Sequence, residues 1–384
     1  MTNLTDGDLD EFRVAVRRFV DDEISPRLSR HETEETFPSD VLALIREAGY
    51  TGIRIPTEYG GKGLNFREYC VVLEEFARTG PALYLWVNDG VGMTIARRGT
   101  ALQRDKYLPR YAAGELTAAM AFSESEAGSD AAAIKTRAEN REGKWFITGR
   151  KHYISKGDSA DFFIVTAVTD SSKRARGGIT AFLVDKTTPG FTVSRVETTM
   201  GSKIYKLAEL TLEECAVSED AVLGGEGQGF AAAMATLEDG RVSVASTCLG
   251  ISDRLIELMV EHVKSRRTFG TLLSDRQGIR WMIADSATEV ELGRSLVEQT
   301  IDKLERDLPV GAAASMCKLH CSEALGRIAD RAVQVHGGMG IIEGLSVERF
   351  YREVRFFRVG EGASEIQRIL IARSLLGRPS REGD

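Results

Sequence analysis

From Phe230 to Arg267 the chain reads FAAAMATLEDGRVSVASTCLGISDRLIELMVEHVKSRR, a nearly unbroken helical pattern. Two further long helical stretches follow. One is GIRWMIADSATEVELGRSLVEQTIDKLERD, and the other is GAAASMCKLHCSEALGRIADRAVQVHGG. A shorter pair surrounds Arg352 and Ile369. Three long helices and a shorter fourth predict a helical bundle over residues 229–384.

What precedes the bundle differs in period. GKWFITGRKHYISKG, DFFIVTAV, GITAFLV and FTVSRVE are short β-branched or aromatic runs punctuated by Gly, Asp, Ser and Pro. They have no helices between them, which predicts an antiparallel sheet or barrel over residues 119–228. Residues 1–118 are helical again. Leu9, Phe12, Val16, Phe19, Val20 and Ile24 share a face, and Pro26 is expected to end the run. A second helix starts at Ser39 and stops at Gly49, and a third runs from an Asn65 cap to Gly80. The expected class is α+β with three domains in the order helical, β, helical bundle.

At 384 residues the chain is too long for one small core. Its formal net charge of −7 disfavours non-specific nucleic-acid binding. The start, MTNLTDGDLDEF, is acidic and polar, unlike a signal or transit peptide. No apolar run approaches the ~20 residues that span a bilayer. Five scattered cysteines read as reduced thiols, and the expected compartment is the cytoplasm.

Several segments carry candidate chemistry. Cys317, His320 and Cys321 in CKLHC lack a second ligand cluster, so core thiols are expected there and no metal site. LGGEGQGF, Leu223–Phe230, has the wrong spacing for a dinucleotide fingerprint and reads as a turn into a helix. KSRR, Lys264–Arg267, suits either a helix C-terminus or a diphosphate. AFSESEAGSDAAAIKTRAE is either a linker or a set of hydrogen-bond donors for one ligand. Glu361 lies between Gly360 and Gly362, which permit backbone angles and close approaches that bulkier residues resist.

Five segments in order, AFSESEAGSD, KHYISKG, RRTFG, QVHGGMG and GEGASEIQR, resemble the acyl-CoA dehydrogenase family across essentially the whole chain, closest to its short-chain and branched-chain branch. The resemblance implies non-covalent FAD between the β domain and the bundle. Phe122, Ser123, Gly128 and Ser129 match flavin-lining positions, with Ser129 also at the substrate. Tyr153 stands where the family usually has Trp, beside Ile154, and Ser155 where a Thr lies near flavin N5. Arg266, Thr268, Phe269 and Gln277 match diphosphate and adenine contacts. Gln334, Val335, His336, Gly337 and Gly338 match a cofactor segment supplied by a neighbouring subunit, so a homotetramer is implied. Ala363, Ser364 and Glu365 follow the base on the cofactor side. Glu238, Asp239, Gly240, Arg241 and Gly362 match positions near the substrate.

Glu361 falls on the family's catalytic base. The implied reaction is α,β-dehydrogenation of a short or branched acyl thioester: Glu361 takes the Cα proton, and flavin N5 takes the Cβ hydride. Electron-transfer flavoprotein is the implied acceptor. Gly240 occupies the family's alternative base position, so no second base competes. Lys203, Tyr205 and Lys206 in MGSKIYKLAEL, Ala363 after Glu-Gly, and Ser125 and Glu126 depart from the usual pattern. The two lysines of the first departure could face an acidic carrier, and they leave open an acyl group carried on an acyl carrier protein, in a dehydrogenase or reductase of a biosynthetic pathway. A flavin monooxygenase on this fold, or a non-catalytic relative binding DNA or a partner, are further alternatives. Tyr84 and Trp86, in ALYLWVNDGVGM, are expected to shorten the acyl pocket if either points inward.

Overall fold

The computed structural model describes residues 6–204 and 206–377; Tyr205, one of the departures named above, lies outside them. The first third folds into α1 (Asp6–Phe19), α2 (Ser25–Glu34), α3 (Ser39–Glu47), α4 (Phe66–Ala77), α5 (Tyr84–Val87), α6 (Gly90–Arg98) and α7 (Ala101–Ala112). Pro26 does not end the first helical run. A π turn at Val20–Ile24 carries the chain into α2, and Pro26 sits in the first turn of that helix. Amides there lack intrahelical acceptors, so the N–H that proline lacks is not missed. At α4 the Asn65 side chain accepts the Glu68 N–H at 2.9 Å, and the Glu68 carboxylate accepts the Asn65 N–H at 2.8 Å. This reciprocal cap fixes where the helix begins.

The middle third holds β1 (Ala118–Ala121), β2 (Arg137–Arg141), β3 (Lys144–Ser155), β4 (Phe162–Val168), β5 (Ile179–Asp185), β6 (Phe191–Glu197), β7 (Leu207–Ser218) and β8 (Val222–Leu223). They form one sheet in the order β6–β7–β3–β2–β4–β5–β8, with β1 paired to β4. The sheet is mixed. β1 and β2 run parallel to β4, and the other pairs are antiparallel. The β2–β3 hairpin intervenes between β1 and β4, so β4 returns in the direction of β1. The glycines of LGGEGQGF turn the chain into the next helix, with the Gly227 N–H held by the Thr180 hydroxyl at 2.9 Å.

The last third holds α8 (Gly229–Ser265), the short hairpin β9 (Arg267–Thr268) and β10 (Thr271–Leu272), then α9 (Gln277–Glu305), α10 (Gly311–His336), α11 (Ser346–Glu353) and α12 (Ser364–Leu376). These helices do not close a core by themselves. Val16 and Phe76 from the first third pack in one hydrophobic cluster with Leu249, Leu325 and Phe357. The approach of α4 to α8 is close at Gly250, where a Cβ would stand 2.0 Å from the Glu74 carbonyl oxygen. No side chain fits there. The sheet has its own core, including Phe163, Phe182 and Leu210. The seam between the two helical thirds is therefore tightly packed, and it is where the candidate site opens.

Candidate active site

A 3₁₀ turn at Val354–Arg358 leads into the glycine-flanked glutamate, and the Gly360 N–H closes it on the Phe356 carbonyl at 2.8 Å. Glu361 then adopts φ +55° and Gly362 φ +87°, both left-handed. Such a conformation is costly for a residue with a Cβ and persists only where its surroundings impose it. Here two donors converge on one carbonyl. Lys318 Nζ, from α10, and Gln367 Nε2, from α12, each lie 2.8 Å from the Gly362 oxygen. Lys318 has no exposed surface. Burial lowers its ammonium to about 8, against the pull of nearby groups that include Glu361.

The Glu361 carboxyl faces α8. A Cβ at Gly240 would stand 3.0 Å from its Oε2, so any larger residue there would crowd the carboxylate. Burial raises the Glu361 pKa, while Arg241 and Lys318 pull it back down. Arg241 is buried, and its Nε has no hydrogen-bond partner among the described residues. A carboxylate raised by desolvation but kept near two cations is suited to accepting a proton at neutral pH.

Glu361 and Gly240 line a cavity of about 440 Å³. Arg54, Asn88, Thr94 and Arg97 line it from the first third, with Thr236 and Asp239 from α8. Arg54 donates through Nε and Nη2 to Asp89, at 3.0 and 2.7 Å, and its guanidinium lies 4.4 Å from the centre of the Tyr69 ring. Burial opposes the Arg54 charge, but Asp89, Tyr69 and Asp239 together outweigh it and the pKa is raised. Glu238 points elsewhere, toward the start of α10, where its Oε1 would be 3.2 Å from a Cβ at Gly311. Neither Tyr84 nor Trp86 lines the cavity. Tyr84 packs against Phe357 and Trp86 against Phe37. The segment that contains them reaches the cavity through Asn88 and Met93 instead.

The cofactor candidates form two groups. In the β domain, buried Glu124 accepts the Lys135 and Thr136 N–H groups at 2.7 and 3.0 Å and pairs with fully buried Lys151 at 2.9 Å. Lys151 also donates to the Phe122 carbonyl, and the His152 N–H to that of Ser123. This network fixes the loop that presents Phe122, Ser123, Gly128 and Ser129. A register shift in β3 between Lys151 and Ile154 accompanies φ +61° at Tyr153. The Tyr153 ring is 55% exposed and stacks on His152, while Ile154 is buried in the sheet core and Ser155 is half-buried. Such bulges re-aim a side chain off the regular alternation.

The second group lies in the bundle. Arg266 is exposed at the end of α8, Thr268 is on β9, and Phe269, 96% exposed, tips the β9–β10 turn. Gln277 opens α9, also exposed. His262 stacks on His336 at 4.3 Å, bringing this end of α8 to the end of α10 that carries Gln334, buried Val335, Gly337 and Gly338. Ala363 caps α12, and Ser364 and Glu365 begin it, with Gly362 between them and Glu361. A Cβ at Gly128, Gly270, Gly337 or Gly338 would meet nothing within 4 Å. Open backbone, exposed rings, hydroxyl donors and an exposed arginine are a donor set that fits FAD.

Three profiles of one family match in succession: the acyl-CoA dehydrogenase N-terminal domain over residues 6–115, the middle domain over 119–215 and the C-terminal domain over 227–376.

The chain belongs to the acyl-CoA dehydrogenase family.

Members of this family are FAD flavoprotein oxidoreductases, which accords with the two cofactor groups just described. An acyl-CoA dehydrogenase of Bacillus subtilis (strain 168) is 37% identical over 95% of this chain and 97% of its own. An acryloyl-CoA reductase (NADH) of Anaerotignum propionicum is 36% identical over 94% of this chain and 93% of its own. Among solved structures, butyryl-CoA dehydrogenase from Megasphaera elsdenii has a TM-score of 0.92 at 30% identity, covering 98% of this chain and 100% of its own. A prolyl acyl carrier protein oxidase has a TM-score of 0.93 at 29% identity, covering 97% and 100%.

Sequence reading missed Lys318, Arg54, Gln367 and the Glu124–Lys151 pair. Two of them left a signal. Lys318 interrupts a stripe of small and apolar residues (Ala314, Cys317, Cys321, Leu325), and Arg54 stands between Ile53 and Ile55, both fully buried. A lone cation in an apolar run is expected to have a specific partner.

Proposed function

We propose that this protein is an FAD-dependent dehydrogenase of a short acyl thioester, with Glu361 as the base that removes the Cα proton. The observation that carries the reading is a carboxyl raised by burial, set in a left-handed turn and facing a cavity. When bound, FAD supplies the acceptor for the Cβ hydride. The chain's own contribution is to hold Glu361 in place through Lys318 and Gln367 and to keep it near Arg241. The Glu361 N–H is the group offered to the thioester oxygen as negative charge develops there. Gly240 leaves room for the carboxyl, and Gly362 lets the thioester approach the chain.

The CoA thioester is the favoured handle, since the family uses acyl-CoA and electron-transfer flavoprotein. Lys203, one of the two lysines that suggested an acidic carrier protein, is paired with Glu35 at 3.2 Å. The likeness to a carrier-protein oxidase keeps the carrier as a second reading, and the likeness to a reductase keeps open the direction of the reaction. A homotetramer is proposed from segment 334–338, where Gln334, Gly337 and Gly338 are exposed. The test is anaerobic flavin bleaching with a panel of acyl-CoAs and the matching acyl carrier proteins. Bleaching by short acyl-CoAs supports the reading; bleaching by carrier-bound acyl groups alone replaces it with the second; bleaching by neither refutes both.

A further inference from the structure

The cavity beside Glu361 is built for something other than a plain alkyl tail. An alkyl group asks for an apolar wall, yet beside Tyr69, Met93 and Ala235 this wall carries Arg54, Asn88, Thr94, Arg97, Thr236 and Asp239. Most of these groups already satisfy one another. The Thr94 and Thr236 hydroxyls are 2.8 Å apart, and each also meets a carbonyl of its own helix. Asp239 accepts from Arg97 at 2.7 Å. What remains is donor capacity. Arg54 is 7% exposed, and its backbone N–H, Nε and Nη2 are all directed at Asp89. Its Nη1 is ion-paired with Asp239 at 3.6 Å, which is beyond hydrogen-bond range and leaves its N–H groups without a hydrogen-bond acceptor among the described residues. Asn88 uses its side-chain oxygen for the Gly90 N–H at 2.9 Å, which leaves its NH₂ group as a second donor.

We infer that the acyl group oxidised here ends in an oxygen acceptor, a carboxylate or a neutral hydroxyl or carbonyl, that seats on Arg54 Nη1 with Asn88 beside it. This deepens the proposed dehydrogenase reading and rests on it. The charged groups that line the cavity are Arg54, Arg97 and Arg98 against Asp239 and Glu361, and Asp89 behind Arg54 offsets the third arginine. An uncharged acceptor is therefore accommodated as readily as an anion. A methyl-ended acyl group would strip water from these donors and return nothing, and sites with buried donors discriminate strongly against such analogues. The two threonines and Asp239 are then the frame that holds the donors in place.

The experiment compares butyryl- and hexanoyl-CoA with 4-hydroxybutyryl- and glutaryl-CoA. It reads kcat/KM on the wild-type holoenzyme and calorimetric binding to Glu361→Gln, which is expected not to turn over. At least one of the two oxygen-ended substrates is expected to exceed both alkyl ones by about tenfold or more. The hydroxyl and carboxylate arms tell a neutral acceptor from an anion. Equal or better use of the alkyl substrates overturns the inference while leaving the dehydrogenase intact. If no thioester bleaches the flavin, the dehydrogenase reading fails, and the binding arm still decides the inference. Arg54→Lys keeps a cation for Asp89 but loses the planar fork. The folded variant is expected to lose the preference by about tenfold, and an unchanged preference in it also overturns the inference. Should that variant not fold, Asn88→Ala is read in the same way.

Discussion

Replacing Lys318 by methionine separates what this lysine does for the fold from what it does for Glu361. The side chain is fully buried and its pKa is lowered from 10.5 to about 8 by burial. A shift of that size corresponds to roughly 3 kcal/mol of penalty for keeping the charge inside at neutral pH. The unfolded chain binds the proton more tightly, so the penalty applies in full below pH 8 and is relieved as pH rises from 8 toward 10.5. Against it stands one charge-assisted hydrogen bond to the Gly362 carbonyl at 2.8 Å, worth about 1.5–3 kcal/mol. The two nearly cancel. Methionine fills similar volume without a charge, so the stability of Lys318→Met at pH 7 is expected within about 1 kcal/mol of wild type, a Tm change of about 2 °C or less.

Activity is expected to respond differently. Gln367 still binds the Gly362 oxygen, but one of two donors fixing a left-handed turn is gone, and so is one of the two cations holding down the Glu361 pKa. We expect kcat/KM to fall about 10- to 100-fold, with the acid limb of the pH–rate profile displaced to higher pH. The assays are differential scanning fluorimetry and a kcat/KM profile from pH 5 to 9. Wild-type kcat/KM with an unmoved acid limb would refute the positioning role. A large loss of Tm with the limb unmoved would show Lys318 to be merely structural.

Glu353 is buried, its carboxyl oxygens have no hydrogen-bond partner among the described residues, and burial raises it to about 7. The native state favours its protonated form, so stability present below pH 4.5 is lost as pH rises through 7; Glu353→Gln is expected to raise Tm at pH 8 and leave it unchanged at pH 4.5, as read by thermal melts. Arg266→Ala is expected to purify with less flavin, because alanine cannot replace the two-pronged contact that an arginine makes with a phosphate; full flavin content by absorbance would contradict it. Gly240→Ala brings a Cβ to 3.0 Å from the Glu361 carboxyl, closer than side chains normally tolerate, and should lower kcat by about tenfold at unchanged Tm.

The alternation of helix, sheet and helix periods was legible because each third repeats its own apolar spacing over many residues. The Asn65 cap was legible because its partner, Glu68, is three residues away. Pro26 misled because a proline that ends one helix and a proline that starts the next look alike in sequence. The shared core of the two helical thirds was not visible: Gly250 meets the Glu74 carbonyl across a long sequence separation that no local pattern records. The same holds for the site. Glu361 stood out through its flanking glycines, whereas Lys318 and Arg54 act on partners supplied by distant segments, Gly362 and Asp89. Tyr84 and Trp86 drew attention by size, but Tyr84 is buried against Phe357 and half-buried Trp86 lies on Phe37, while the smaller Asn88, just past their helix, lines the cavity.

The account depends most on Glu361 as the base, and single-turnover flavin reduction by Glu361→Gln under anaerobic conditions measures that directly. The amide keeps the size and the left-handed turn but cannot accept the proton. Flavin content and thioester binding equal to wild type, with reduction slowed by at least about a thousandfold, is the expected result. Reduction within about tenfold of wild type would contradict the assignment.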